Sequence, residues 1–455
     1  MTMGRRLGLF LLLTCGGISI FYGSAYAVKA SGSPDFRALY YGTRCLLQHQ
    51  NPYNESELES VYRSEGGERA TDTFRQRQVV TLYVNLPTTF LFVAPLAILP
   101  WGVAQAVWLT LLAGLFLLAG WLMWRLGGKY APGVTTLLIC IVLINSEVVF
   151  AGGNSAGLVV SLCVVAVWCF LEERFVTAGV LCMAVSLAIK PHDSGLVWLY
   201  FLLSGGVYRK RALQTLAVTA VLAVAAILWV SQVAPHWMQD WGSNMAAIKS
   251  HGGMNDPGTV SAATRDVDLV IDLQSVISVF RDDPRFYNPA TYLICGTMLA
   301  AWSIRTLRLR LSQKGAWLAI AAVVPLTMLV TYHRPWDAKL LLLTVPACAM
   351  LWAEGGLTGW LALVVTAAGV VSTGDIPLVI LSILSGKLHT STATLYGQML
   401  AAVLIHPVPL ILLMMSVFYL WVYMRRAAPD KGRRHEGRTA QQDDSKVAQS
   451  FSGTR

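Results

Sequence analysis

Long apolar stretches recur along this chain from one end to the other, and they limit what it can fold into. A helix of about 20 apolar residues, or about 17 at the least, crosses the hydrocarbon core of a bilayer. Hydrophobic residues make up 55% of the 455 residues and charged residues 13%, whereas soluble domains carry roughly 25% charge. The sequence therefore predicts an all-α polytopic integral membrane protein, and it excludes a disordered chain, a collagen-like fibre and a coiled coil.

About twelve stretches are long enough to span. They lie near residues 7–28, 102–124, 132–150, 155–171, 175–190, 192–207, 212–233, 287–304, 315–332, 338–353, 357–373 and 396–424. Two further stretches, 86–100 and 376–386, are too short or too interrupted by proline to count as spans. His406-Pro407 predicts a kink within the last span.

The first apolar stretch has two interpretations. Arg5 and Arg6 precede it, and Ala25-Tyr26-Ala27 has the small-x-small form of a signal-peptide cleavage site. An uncleaved first span is favoured over a cleaved signal peptide because a series of further spans follows. Both interpretations place the residues that follow on the far side of the membrane.

The orientation of the later spans depends on whether 86–100 crosses the membrane. If it lies in the interface, the cytoplasmic face receives the short basic clusters, which are Arg125 with Lys129, Arg174, Arg209-Lys210-Arg211, 305–314 and Arg425-Arg426. This is the arrangement that the positive-inside rule favours. It predicts cytoplasmic termini, outer polar segments at 29–85 and 234–286, one membrane domain over 1–426, and a disordered cytoplasmic tail over 427–455.

Charge and cysteine content exclude two other classes of protein. The net charge is +10, but the basic residues cluster beside apolar stretches and in the tail, as on a cytoplasmic membrane face, so no nucleic-acid partner is expected. Seven of the eight cysteines lie within apolar stretches, and Cys45 alone lies in a polar one. This distribution predicts neither a disulfide framework nor a zinc-ligand pattern.

Polar residues collect at the helix ends that this topology places outside. Ionisable residues are nearly absent from the centres of the spans, where they are costly. One alternative is that charged side chains at helix ends reach the lipid headgroups and have no other function. Four separate outer turns nevertheless predict a shared polar site at the membrane surface, and their residues are Asp35, Asn145, Glu147, Asn154, Lys190, His192, Asp193, His333, Arg334 and Asp337.

The first outer segment carries a pattern that resembles glycosyltransferase family 87. An aspartate (Asp35) follows the first span, a tyrosine pair (Tyr40, Tyr41) follows at a helical offset, and Asn51-Pro52-Tyr53 comes about ten residues later. Similar stretches continue to about residue 350, namely Tyr83–Pro87, Ala94–Pro100, Gly153-Asn154-Ser155, Ala188-Ile189-Lys190-Pro191 and Tyr332-His333-Arg334. Asn154 replaces the usual glutamine, and 234–286 carries no motif that can be aligned.

This resemblance implies a GT-C-type membrane enzyme that transfers a sugar from a polyprenyl phosphate. An inverting transfer needs a general base for the acceptor hydroxyl, and Asp35 suits that role. The lipid phosphate leaves as an anion, so Lys190, His333 and Arg334 are expected to bind it. The remaining predicted substrate-binding residues are Tyr40, Tyr41, Asn154, Trp336 and Asp337.

The expected partners follow from the same resemblance. They are a polyprenyl-phosphate-sugar donor, with mannose as the family's best-known sugar, membrane lipid, and a glycolipid, glycan or protein acceptor. No cofactor and no metal are expected, although a divalent metal is not excluded, because the acidic pair Asp282-Asp283 precedes a proline and predicts a turn.

Other membrane functions compete with this interpretation. Secondary transporters bind substrate near the membrane midplane and often carry internal repeats, and the sequence has neither mid-span charge nor a visible repeat. A lipid-linked-sugar flippase escapes part of this argument. A non-catalytic assembly protein leaves the outer clustering of acidic, basic and amide groups unexplained. Convergence of Asp35, Lys190 and His333 in the fold is expected of a transferase.

Overall fold

A computed structural model of the protein describes residues 3–70, 72–258, 270–308, 312–377, 379–380 and 394–426. Within these residues the chain is helical and has no strand, which confirms the all-α prediction. The helices, in chain order, are α1 (Met3–Tyr26), α2 (Pro34–Leu47), α3 (Glu55–Ser64), α4 (Phe74–Thr81), α5 (Thr88–Ala97), α6 (Trp101–Gly127), α7 (Pro132–Ile144), α8 (Glu147–Gly152), α9 (Ser155–Leu171), α10 (Val176–Ile189), α11 (Pro191–Leu203), α12 (Gly206–Val233), α13 (Trp237–Lys249), α14 (Leu273–Ser278), α15 (Pro284–Arg308), α16 (Gln313–Val330), α17 (Val345–Glu354), α18 (Gly356–Ser372), α19 (Leu395–Leu404) and α20 (Pro407–Arg426).

The structure supports a membrane protein but does not confirm twelve spans. Among the described residues, six helical segments are long and apolar enough to cross a bilayer, and they are Arg6–Ala30, Trp101–Gly127, Pro132–Gly152, Gly206–Val233, Gln313–Val330 and Pro407–Arg426. Several other predicted spans form shorter helices. For example, α10 has 14 residues and α11 has 13, which makes each about 20 Å long at about 1.5 Å per residue, against a hydrocarbon core of roughly 30 Å.

Proline explains where two of the predicted spans divide. The predicted spans over 175–190 and 192–207 meet at Lys190, because Pro191 opens a new helix there. The last predicted span divides into α19 and α20 beside His406, where the sequence predicts a kink, since Pro407 begins the second helix. The helix within 86–100 has ten residues and is too short to span. Most of the stretch 376–386 and the tail 427–455 lie outside the described residues.

The helices differ in how deeply they are buried. Helix α16 is buried along almost its whole length and packs against α20. Helix α12 is largely exposed, and its outward face carries Val221, Val224 and Leu228. An apolar exposed face is unfavourable in water and favourable in lipid. We therefore place α16 at the centre of the bundle and α12 at its lipid-facing edge.

The two long polar segments, 29–85 and 234–286, pack on each other. Asn51 Nδ2 donates to Asp240 Oδ2 over 2.7 Å. Asn244 Nδ2 donates to the backbone carbonyls of Tyr53 and Tyr83, each over 3.0 Å. Helices α2, α3 and α4 pack on one another, and α13 joins them through these hydrogen bonds.

A buried ion pair fixes α2 within this group of helices. The Arg37 guanidinium lies 2.6 Å from the Asp72 carboxylate, and the exposed fraction of both side chains is 2%. It also donates to Tyr62 Oη over 2.8 Å and to the Gly32 carbonyl over 2.8 Å. Because a buried charge is stable only when it is paired and hydrogen-bonded, these contacts hold the start of α2 in one position. Asp35 lies two residues before Arg37.

Candidate active site

The local sequence places Asp35 in the first turn of α2. Ser33 adopts a left-handed conformation (φ 50°) that turns the chain into the helix, and Pro34 occupies the first helical position. The exposed amide groups at a helix N-terminus carry partial positive charge and favour a nearby carboxylate. The partly buried Asp35 side chain therefore lies at the end of the helix, where it meets the junction of α8 and α9.

Asn154 contacts the Asp35 carboxylate at that junction. Its Nδ2 donates to Asp35 Oδ2 over 2.9 Å, while its Oδ1 accepts from the Ala156 backbone N–H over 2.8 Å and caps α9. A Cβ at position 152 would lie 2.7 Å from Asp35 Oδ2, so Gly152 is required for this close approach. One amide side chain thus both starts a helix and fixes the candidate base.

Lys190 joins two separate turns of the chain. Its Nζ lies 2.7 Å from Asp337 Oδ1 and 3.7 Å from Asp193 Oδ2. The other Asp337 oxygen, Oδ2, accepts from the Arg334 backbone N–H over 2.8 Å. Because Asp337 binds groups from both turns, it holds the turn after α10 against the turn after α16.

Arg334 lies between aromatic rings and the second polar segment. Its guanidinium carbon is 5.4 Å from the centroid of the Tyr332 ring and 5.3 Å from that of the partly exposed Trp336 ring. Nη2 donates to the Met254 carbonyl over 3.0 Å, and Nε donates to Tyr332 Oη. These contacts orient the guanidinium group without a carboxylate partner in direct contact among the described residues.

The electrostatic interactions of Asp35 extend to the turns that carry Lys190 and Arg334. Burial raises the pKa of the Asp35 carboxyl above its ordinary value. The hydrogen bond from Asn154 and the positive charges of Arg334 and Lys190 act in the opposite direction, and Asp337 adds to the rise. A carboxylate with a raised pKa that lies beside two cations is a typical arrangement for a catalytic base.

Sequence comparison identifies the family. The sequence model of glycosyltransferase family 87 matches residues 83–332, which is more than half of the chain. The chain belongs to glycosyltransferase family 87. No curated protein and no solved structure matches it at a significant level.

The family 87 match covers part of the candidate site. Asn154 and Lys190 lie within the matched residues, whereas Asp35 and the turn from His333 to Asp337 lie outside them. The membership therefore supports a membrane glycosyltransferase, and the roles of the individual residues rest on geometry.

The positions of Tyr40 and Tyr41 argue against the predicted stacking on a sugar. Both side chains are 3% exposed and lie in an aromatic cluster, where their ring centroids are 5.2 Å and 6.0 Å from Trp101. Tyr40 Oη also donates to the Leu99 carbonyl over 2.7 Å. These tyrosines pack α2 against its neighbours, because α2 is buried on nearly all sides. Trp336, the third aromatic residue predicted to bind substrate, is partly exposed.

His333 is also more deeply buried than a direct phosphate ligand would be. Its side chain has no exposed surface, and Nδ1 lies 2.7 Å from the Thr331 carbonyl. Its Nε2 faces Asp193 at 3.4 Å. Although burial lowers the pKa of His333, Asp193 and Asp337 raise it above its ordinary value. Nε2 therefore contacts Asp193 in this structure, and a role of His333 at the donor phosphate stays a prediction.

Two of the polar residues expected in the site lie elsewhere. The Asn145 carbonyl accepts a hydrogen bond from Lys339, which lies 3.6 Å from Asp375. Glu147 is close enough to both Lys339 and Asp375 to interact with them electrostatically. These residues form a second buried cluster that joins α7 and α8 to the chain after α18. Asp283, from the acidic pair, accepts from the Arg285 backbone N–H over 2.9 Å at the start of α15.

The second polar segment contributes contacts that the sequence does not reveal. The Met254 carbonyl binds Arg334, and the Ile271 backbone N–H donates to the His333 carbonyl over 3.0 Å. Both contacts use backbone atoms, so no side-chain motif predicts them.

We expect Asn154→Ser to change the pH dependence of transfer by this family 87 member. Burial raises the pKa of Asp35 and the bond from Asn154 lowers it, so loss of that bond is expected to raise the pKa further. Serine keeps an acceptor for the helix cap but has no amide to donate. If Asp35 is the base, the acidic limb of the pH–rate profile moves to higher pH.

The matched control is Asn54→Ser. Asn54 caps α3 by accepting from the Ser56 and Glu57 backbone N–H groups, and it makes no contact with Asp35. The control profile should coincide with that of the wild type. An acidic limb that stays in place in Asn154→Ser contradicts the prediction.

Proposed function

We propose that this membrane glycosyltransferase transfers a hexose, with mannose as the first candidate, from a polyprenyl-phosphate sugar to an acceptor hydroxyl. The observation that carries the proposal is the Asp35 carboxylate, which accepts a hydrogen bond from Asn154 and interacts electrostatically with Lys190 and Arg334. A base beside two cations fits a reaction in which a hydroxyl loses a proton and a phosphate leaves.

The proposed reaction inverts the anomeric centre. Asp35 takes the proton from the acceptor hydroxyl. The hydroxyl oxygen attacks the anomeric carbon at the same time, and the bond from that carbon to the phosphate oxygen breaks. The lipid phosphate leaves as an anion and needs stabilisation but no proton. Arg334 offers a planar fork that matches phosphate oxygens, and Lys190 supplies a second positive charge. Asp337 pairs with the Lys190 ammonium and binds the Arg334 backbone N–H, and Trp336 offers a ring for the sugar.

The surroundings of the cluster suit a lipid donor. The polar residues lie at the ends of apolar helices, next to a layer of polar segments. A polyprenyl chain would lie along the apolar helices while its phosphate and sugar reach the polar cluster. The acceptor is a glycolipid, a glycan or a protein.

The proposed topology places this chemistry on the outer face of the cytoplasmic membrane. Both termini are then cytoplasmic, residues 1–426 form one membrane domain, and 427–455 form a cytoplasmic tail. Twelve spans require the shorter helices to cross as well, in pairs or with tilt. The basic loop at Arg209-Lys210-Arg211 supports this orientation because it would face the cytoplasm.

Cysteine labelling tests the topology. In a cysteine-free background, we expect Ser60→Cys to react with an impermeant maleimide in intact cells and Lys210→Cys not to react. Both positions are exposed in the structure, so the protein itself does not shield either one from the reagent. Inverted vesicles should reverse the pattern. Labelling of position 210 in intact cells would overturn the orientation.

Radiolabelled donors test the activity. Membranes that contain the protein are incubated with a panel of polyprenyl-phosphate sugars, and transfer of label to new products is measured. We expect one labelled hexose to be consumed, and an Asp35→Asn protein to consume none. Movement of labelled lipid across the membrane without consumption would instead favour the flippase or transporter.

A further inference from the structure

Three candidate metal ligands meet beside the proposed active site. His192 and Asp193 lie in the first turn of α11, and His333 lies in the turn after α16. One nitrogen from each histidine and a carboxylate oxygen of Asp193 all lie within 4.8 Å of one another. Asp193 Oδ1 is 3.5 Å from His192 Nε2 and 3.4 Å from His333 Nε2. The two imidazole rings are 5.2 Å apart between centroids.

The buried atoms of this cluster are not satisfied by hydrogen bonds. Asp193 and His333 have no exposed side-chain surface. Neither carboxylate oxygen of Asp193 nor Nε2 of His333 makes a hydrogen bond with any residue that the structure describes. The 3.4 Å separation is also longer than the 2.7–3.2 Å, approximately, of a good N–H···O bond. Such buried polar atoms are uncommon in folded proteins, and a bound ion or water is one explanation for them.

The tautomer of His333 indicates what that partner is. Nδ1 lies 2.7 Å from the Thr331 carbonyl, which has no proton to give, so Nδ1 carries the hydrogen and donates. In the neutral ring, Nε2 then presents a lone pair toward the Asp193 carboxylate. Two acceptors that face each other across a buried gap favour a cation between them, which is either a proton on Nε2 or a metal ion. A backbone carbonyl that fixes the far nitrogen of a histidine is the usual support of a metal ligand.

We propose that His192, Asp193 and His333 bind a divalent transition-metal ion of the Zn²⁺ type. Zinc bonds to nitrogen and carboxylate oxygen are about 2.0–2.2 Å long, so two ligands of a tetrahedral ion lie roughly 3.4 Å apart. The two measured separations from Asp193 Oδ1 match that edge. Two imidazoles with one carboxylate form a common donor set for such ions. The sequence does not predict this site, because His333 is distant in the chain from His192 and Asp193.

The neighbouring lysine neutralises part of the Asp193 charge but pairs more closely with Asp337. Lys190 Nζ is 2.7 Å from Asp337 but 3.7 Å from Asp193, so its close ion pair is with Asp337. The start of α11 carries partial positive charge, which opposes a cation and favours an ionised Asp193. The carboxylate is therefore the group that makes the site attractive to a metal.

The open side of the site lies at His192. Its side chain is 37% exposed, whereas the other two ligands are buried. Three protein ligands with one open position are typical of metal sites that bind water or substrate. If the proposed transfer is correct, an ion there adds positive charge near Lys190, where the phosphate leaves. That consequence rests on the proposed function, but the binding site itself does not.

Cobalt binding tests the site without any assay of transfer. The full-length protein is purified in detergent with a non-histidine affinity tag, stripped with a chelator and titrated with Co²⁺. We expect one Co²⁺ per chain, visible absorption bands of low-coordinate cobalt, and displacement by Zn²⁺. Loss of a residue that only supports a metal ligand lowers metal affinity by roughly 10- to 100-fold. Loss of a ligand itself should cost at least as much, so we expect His192→Ala and Asp193→Asn each to weaken Co²⁺ binding by about 100-fold or more.

The control separates this cluster from histidine–carboxylate pairs in general. His251 Nδ1 lies 3.3 Å from Asp256 in the second polar segment, so His251→Ala removes a similar pair. It should leave Co²⁺ binding unchanged. His192 is partly exposed, so its alanine variant is expected to fold, and size-exclusion chromatography verifies this.

Two results would overturn the proposal. One is the absence of Co²⁺ binding to the wild type, which would make the cluster an ion pair of His333 with Asp193. The other is Co²⁺ binding that a folded His192→Ala protein retains in full. Neither result depends on sugar transfer, and a protein that binds Co²⁺ but transfers no sugar would contradict only the proposed function.

Discussion

Asp35→Asn is expected to lower sugar transfer by about 10²- to 10⁴-fold, the usual cost of losing a general base. Asparagine has the same size and still accepts the hydrogen bond from Asn154, so the contact of 2.9 Å can persist. It cannot take a proton from the acceptor hydroxyl. The measurement is the initial rate of transfer at saturating donor and acceptor, normalised to the amount of membrane-inserted protein.

Glu59→Gln is the matched control for this substitution. Glu59 is an exposed carboxylate in the same polar segment, and its ion pair is with Arg63 on its own helix. Such exposed pairs contribute little, roughly 0–1 kcal/mol, so transfer should stay close to that of the wild type. An Asp35→Asn protein that retains more than half of the wild-type rate would exclude Asp35 as the base.

The sequence predicts those parts of the site that lie in short local patterns. Asp35 follows the first span, Lys190 precedes Pro191 between two helices, and Asn154 opens α9 as its cap. Each of these signals spans a few residues, and each falls at a helix end where polar groups are expected in a membrane protein. Local pattern therefore sufficed for the helical class and for placing Asp35, Asn154 and Lys190 at helix ends.

The remaining features depend on distant contacts. Tyr40 and Tyr41 are buried because Trp101 packs against them, and no pattern in the first segment predicts that contact. The second polar segment touches Arg334 and His333 through backbone atoms, which have no signature in the side chains. The number of spans is equally difficult, because predicted spans such as 175–190 and 192–207 form helices of 14 and 13 residues, each too short to cross a bilayer alone.

Arg334→Ala is expected to lower the efficiency of donor use by one to two decades. Loss of one charge-assisted contact with the phosphate costs roughly 1.5–3 kcal/mol. Arg334→Lys keeps the charge but loses the planar fork, so its effect should be smaller than that of alanine. The measurement is kcat/KM for the donor at saturating acceptor, together with KM for the acceptor at saturating donor, which should change little.

Because Arg334 also contacts other residues of the protein, the test needs the lysine variant and a control variant at another arginine. Arg334 also binds the Met254 carbonyl and stacks on Trp336, so alanine removes packing as well as charge. Arg281, in the second polar segment, is the control, because its guanidinium carbon also lies over an aromatic ring, 5.4 Å from the Phe286 centroid, and it pairs with Asp283. Arg281→Ala should leave donor use unchanged. If Arg334→Ala also leaves it unchanged, then Arg334 is a structural residue that orders the second polar segment, and Lys190 becomes the remaining candidate for the phosphate.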